Sequence, residues 1–109
     1  MPSYSRNEVV LVKFPFSDLA GAKIRPAVVV NAAHKSQDLL LVALTSKTQS
    51  LLDGEFVLKD WAVAGLNIET ALKRGIFTIH EKLVVRSVGL LSISDAYETD
   101  KSLRGWLNL

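Results

Sequence analysis

The chain has 109 residues, 49% of them hydrophobic, and a formal net charge of +2. That length predicts one domain spanning 1–109 rather than two independent cores, and the hydrophobic content excludes an intrinsically disordered chain. The absence of cysteine excludes a disulfide framework and thiolate metal sites, and fits a reducing cytoplasm.

The mild basicity, with a pI near 9.0, is compatible with an anionic partner without identifying one. The first residues, Met1 to Glu8, lack the apolar core of a signal peptide. No apolar stretch approaches the ~20 residues of a membrane span. The expected location is therefore the cytoplasm, with no membrane contact.

Val9-Val10-Leu11-Val12 is an unbroken, valine-dense run that suits a strand buried on both faces. Phe14-Pro15-Phe16 should end it, because proline cannot donate to a sheet ladder. Ser17 to Ile24 contains Asp18 and Gly21, shows no periodicity and reads as a loop. A second strand, Pro26 to Val30, places its proline first, where a missing N–H does least harm. Leu39 to Leu44 is the third strand. Glu55 to Leu58 is a fourth, entered through Asp53-Gly54. Ile76–Ile79 and Val84–Leu90 follow, separated by the polar His80-Glu81-Lys82.

The C-terminus changes period. Ile93, Ala96, Tyr97, Leu103, Trp106 and Leu107 fall near one face of a helix. Ser92 stands at its N-cap, with Asp95 three residues on as a shortened capping box. The expected fold class is mainly β, a strongly bent sheet or small barrel with a C-terminal helix packed on it.

Four groups of residues could carry chemistry. Lys23 and Arg25 flank Ile24 at the mouth of a strand, and in extended structure their side chains share a face. A guanidinium there can grip a phosphate with paired hydrogen bonds. The same pair is also what an ordinary solvated strand end carries. Thr45 and Ser46 close the third strand, and their hydroxyls can bind phosphate oxygens or make local turns. His34 and His80, the only histidines, are the obvious acid–base pair for RNA cleavage, yet each also reads as a surface residue. Phe14 and Phe16 bracket Pro15; an exposed aromatic could stack on an unpaired base, and core burial is the competing reading. Lys73-Arg74, with Glu69 preceding it, reads as ordinary surface.

Taken in order, these pieces resemble the MazF/PemK toxins. Glu8 to Leu19 is similar to the family's opening strand and loop. Lys23-Ile24-Arg25-Pro26-Ala27-Val28-Val29-Val30 resembles its signature segment, and Leu44-Thr45-Ser46 its third-strand end. Ile76 to Ile79 and Val85 to Ser92 resemble the closing region. The resemblance covers nearly the whole chain; the ordered set is specific where no single piece is.

The resemblance implies an SH3-like barrel of the CcdB/MazF/PemK type, a homodimer and a cognate antitoxin. It implies metal-independent and cofactor-free cleavage of single-stranded RNA, including mRNA, to a 2′,3′-cyclic phosphate and a 5′-hydroxyl. Arg25 matches the catalytic arginine and Thr45 the catalytic threonine, so the histidine pair is not the implied machinery. Lys23, Ser46, Phe16 and Ser17 are further RNA-contact candidates. The stretch Ala71-Leu72-Lys73-Arg74-Gly75 departs from the family: Leu72 stands at a usual arginine, Arg74 at an acidic position, and His80 at a common aspartate. Two alternatives stay open. One is a gyrase-binding poison like the CcdB toxins, which end in a Trp-Gly pair where this chain reads Gly105-Trp106. The other is a barrel that binds antitoxin or RNA without cutting.

Overall fold

The computed structural model describes residues 4–14, 23–31 and 34–109. The strands are β1 (Glu8–Phe14), β2 (Lys23–Val29), β3 (Asp38–Thr45), β4 (Phe56–Val57), β5 (Ala71–His80) and β6 (Val84–Leu90). A 3-10 turn, Glu81–Leu83, joins β5 to β6, and α1 (Ile93–Leu107) closes the chain. The strands form one antiparallel sheet in the order β4-β5-β3-β2-β1-β6.

Alternation sends side chains to two faces, and each face carries its own core. Val9, Val28, Val42, Leu44 and Leu72 pack beneath Leu103 of α1 and Leu58, Ala64 and Leu91. Val10, Val12, Ala27, Val29, Leu41 and Ile79 fill the opposite face, with Leu83 and Val84 packed against them. Thus Val9 to Val12 faces apolar neighbours on both sides, as its unbroken pattern requires. The second face is concave. Phe14 on β1 and Phe77 on β5 lie three strands apart, roughly 14 Å in a flat sheet, yet their rings meet edge to face at 5.3 Å.

Two expected boundaries move. β2 begins at Lys23, so Lys23 and Ile24 are strand rather than loop, and Pro26 is its fourth residue, not its first. β5 begins at Ala71 rather than Ile76 and absorbs the whole Ala71–Gly75 stretch. The rest of the expected loop, together with Pro15 and Phe16, lies outside the described residues.

The helix follows its hydrophobic period only in part: Ala96, Leu103 and Trp106 pack on the core, and the rest of the face differs. Ser92 caps it as expected, accepting from the Asp95 N–H at 3.1 Å. Asp95, however, does not reach back to complete a capping box. Its carboxylate accepts the N–H groups of Lys59 and Asp60 at 2.9 and 2.8 Å. The buried face of α1 is Asp95, Thr99, Ser102 and Leu103, while Ile93, Tyr97 and Leu107 are exposed. Polar residues can line that face because each finds a partner. The Thr99 hydroxyl donates to Asp95 O and the Ser102 hydroxyl to Gly54 O. Gly65, at φ +90, supports the same layer: a Cβ there would stand 2.0 Å from Val88 O, so the loop after Leu58 meets β6 backbone to backbone.

Asp95→Ala should destabilise the fold by about 3 kcal/mol, because it strands two N–H groups whose acceptor is a buried charge. Urea denaturation measures this; a loss below about 1 kcal/mol would show that the carboxylate does not hold the Lys59–Asp60 turn.

Candidate active site

Arg25 and Thr45 are brought together by register. β2 and β3 pair as Ala27↔Ala43, Val28↔Val42 and Val29↔Leu41. Continuing that register by two residues sets Arg25 opposite Thr45, on the face of Ala27 and Ala43. The two strands are no longer paired there, and Pro26 is the reason. Val30 N–H donates to Leu40 O at 2.9 Å, so even-numbered residues of β2 turn their backbone groups toward β3. The N–H that would bond Leu44 O in the next such pair belongs to residue 26, and proline has none. Odd-numbered residues turn toward β1, and β2 stays paired there through Arg25↔Val12. β3 meanwhile continues on β5 as far as Thr45↔Ala71. The sheet therefore opens between β2 and β3, with an arginine on one lip and a threonine on the other.

The opening is a pocket of about 290 Å³ lined by Phe14, Arg25, Ala43, Leu44, Thr45, Lys47, Lys73 and Phe77. Its lining, among the described residues, holds three cations and no carboxylate. Among the described residues, the ion pairs are confined to Arg6, Glu98, Asp100, Lys101 and Arg104, so all three pocket cations are available to an anion. Thr45 Oγ1 accepts the Lys47 N–H at 3.1 Å. That bond fixes the hydroxyl oxygen and leaves its proton to be donated to a ligand.

Lys47 and Lys73 were not among the sequence candidates. Lys73 reaches the pocket by alternation, one residue past the inward-facing Leu72, at the start of a bulge. Between the pairs Val42↔Ile76 and Leu44↔Leu72, β3 has one residue, Ala43, and β5 has three, Lys73 to Gly75. Lys73 turns to the concave face. Arg74 lines a separate groove of about 600 Å³ between the Asp53–Phe56 segment and α1. Lys73 and Arg74 are both exposed, as read from the sequence, but on opposite faces of the sheet. Leu72, at the usual arginine position, is fully buried in the opposite core.

The other candidates are placed as follows. Lys23 is exposed at the start of β2, opposite Phe14, and does not line the pocket. Ser46 is exposed just beyond Thr45, also outside the lining. Phe16 and Ser17 lie outside the described residues. His34 and His80 sit at the other end of β3, roughly 20 Å of strand from Thr45. The ring of His34 meets the Ser36 hydroxyl at 2.8 Å, and that of His80 accepts the Lys82 N–H and caps the 3-10 turn. Among the described residues no three His, Cys, Asp or Glu side chains could jointly hold a metal ion. No helix among them is long and apolar enough to cross a membrane.

A family model described as PemK-like, MazF-like toxin of type II toxin-antitoxin system matches residues 5–107. The chain belongs to that family. Solved structures of the same fold include an endoribonuclease from a mycobacterial species in complex with its cognate antitoxin. It is 14% identical, with TM-score 0.75, covering 98% of this chain and 97% of that one. Toxin MazF-mt6 of Mycobacterium tuberculosis is 17% identical, with TM-score 0.72 and coverages of 94% and 97%. A further mycobacterial endoribonuclease is 16% identical, with TM-score 0.74 and coverages of 100% and 95%. No curated protein matches the sequence.

In this PemK-like toxin the C-terminal tryptophan is committed to the fold. Trp106 Nε1 donates to Asp53 O at 2.8 Å. A Cβ on Gly54 would stand 2.4 Å from the same nitrogen. The family match and the solved structures give no support to the CcdB-like alternative.

Glu55 braces the bulge from behind. Its carboxylate accepts the N–H groups of Arg74 and Leu52 at 2.8 and 2.7 Å. Those two bonds, Arg74 first, hold its pKa below the ordinary 4.5; the charges of Lys73 and Arg74 add to the effect and burial opposes it. Because the folded state favours the ionised form, this stabilisation is present above the ordinary value and disappears as pH falls through the lowered one. Glu55→Gln should therefore show a smaller drop in Tm between pH 7 and pH 3 than the parent protein. Equal drops in thermal melts would contradict the assignment.

Proposed function

We propose that this toxin is an endoribonuclease that cuts single-stranded RNA without needing a metal ion, with Arg25 and Thr45 on the scissile phosphate. The observation that carries the reading is their opposition across the opened β2–β3 end, in a pocket whose described lining has three cations and no carboxylate. In the reaction the 2′-oxygen loses its proton and bonds to phosphorus. The bond from phosphorus to the 5′-oxygen breaks, and that oxygen takes up a proton. The products are a 2′,3′-cyclic phosphate and a 5′-hydroxyl. Negative charge builds on the non-bridging oxygens, and a fixed guanidinium stabilises it there. Arg25 is not suited to act as the base, since a guanidinium offers hydrogen-bond donors and no acceptor. Thr45 donates its hydroxyl proton to the phosphate and orients it. His34 and His80, at the far end of the sheet, take no part.

The partners that go with this reading are single-stranded RNA, a cognate antitoxin and a second copy of the chain, in the cytoplasm. Sedimentation separates a dimer from the 12.0 kDa chain.

Purified protein in EDTA should cleave single-stranded RNA to cyclic-phosphate ends. Arg25→Ala should slow cleavage by roughly 100- to 1,000-fold, the loss typical of one removed oxyanion donor. Intact RNA, or equal rates for parent and variant, would refute the reading.

A further inference from the structure

We propose that Lys47 and Lys73 form a second anion grip beside Arg25, holding a backbone phosphate of the RNA next to the scissile one. The inference rests on the endoribonuclease reading of the same pocket and names what it grips beyond the scissile group.

Three features lead to it. The pocket cations come from different places: Arg25 from β2, Lys47 from just past β3, and Lys73 from β5. β2 and β5 lie on opposite sides of β3, about 10 Å apart at two strand spacings. The cationic lining is thus wider than the Arg25–Thr45 pair alone, and runs across the strands as an extended polyanion would.

The second feature is the alternation of β5. Leu72 turns into the core beneath α1, so Lys73, the next residue, turns to the concave face and joins the pocket, while Arg74 turns back to the groove beside α1.

The third is that, among the described residues, no carboxylate forms an ion pair with either lysine. Glu55 feels the Lys73 charge, yet its two oxygens are taken by the N–H groups of Leu52 and Arg74. Lysine is a compact point charge with three donors on a flexible stem, suited to a phosphate whose position varies with RNA sequence. The two lysines are positioning residues that read the backbone, and arginine performs the transition-state role.

The test is the salt dependence of binding to a mixed-sequence, fully 2′-O-methylated single-stranded RNA, which cannot be cleaved. Fluorescence anisotropy gives Kd against salt for the parent, Lys47→Gln, Lys73→Gln, Lys73→Arg and Lys59→Gln. Each pocket Gln variant should flatten the log–log slope by about 0.7, the value for one lost phosphate contact on a single strand. Lys73→Arg should keep the parent slope, and so should Lys59→Gln, whose side chain is exposed away from the pocket. Unchanged slopes for Lys47→Gln and Lys73→Gln, or an equal loss in Lys59→Gln, would overturn the grip. The cleavage assay with Arg25→Ala reads the endoribonuclease reading separately, so a cutting enzyme with unchanged slopes refutes only this inference.

Discussion

One missing hydrogen-bond donor organises the functional end of this protein. Pro26 stands where the β2–β3 ladder needs an N–H, and the ladder stops at Ala27↔Ala43. β2 remains tied to β1, and β3 remains tied to β5. The strands therefore part at a defined residue, and the side chains at the parted positions are Arg25 and Thr45. A proline inside a central strand is ordinarily a cost. Here it creates a notch in an otherwise continuous sheet, walled by rigid strands rather than by loops. Such walls hold a charge-stabilising group in place without reorganisation during reaction.

The two cores divide the labour around that notch. The face beneath α1 is closed by satisfied polar contacts: Asp95 on two backbone N–H groups, Ser102 on Gly54 and Trp106 on Asp53. These contacts tie the helix to the segments on either side of β4. The concave face leaves its end open, with Phe14 and Phe77 as an apolar floor beneath the cations. An apolar floor excludes water from part of the pocket and strengthens the electrostatic interaction above it. Membership of the PemK-like, MazF-like toxins gives this geometry its biological setting.

Much of the fold was legible in the sequence because valine-rich runs and turn residues act locally. β6 runs from Val84 to Leu90 as its pattern predicts. What was not legible depends on partners far along the chain. The helix face was legible in part: Ala96, Leu103 and Trp106 pack on the core as the period implies, but Asp95, Thr99 and Ser102 are buried through hydrogen bonds that a hydrophobic period does not register. Ile93 and Tyr97, on the expected apolar face, are exposed, and Lys101 lies over the Tyr97 ring. Lys73 reads as ordinary surface when the strand is expected to begin at Ile76; once β5 begins at Ala71, alternation from the buried Leu72 turns Lys73 to the pocket. Arg25 and Thr45 were each ambiguous alone. Their selection came from the order of motifs along the chain, and their opposition is a matter of register.

The central claim is that Arg25 and Thr45 act as one unit on one phosphate. A double-mutant cycle on single-turnover RNA cleavage tests it most directly, using Arg25→Ala, Thr45→Val and the double variant. Groups serving a single transition state are strongly non-additive. The double variant should be little slower than Arg25→Ala alone, leaving a coupling above about 1 kcal/mol. If the two losses simply multiply, the residues act independently and the account of the opened strand end is wrong.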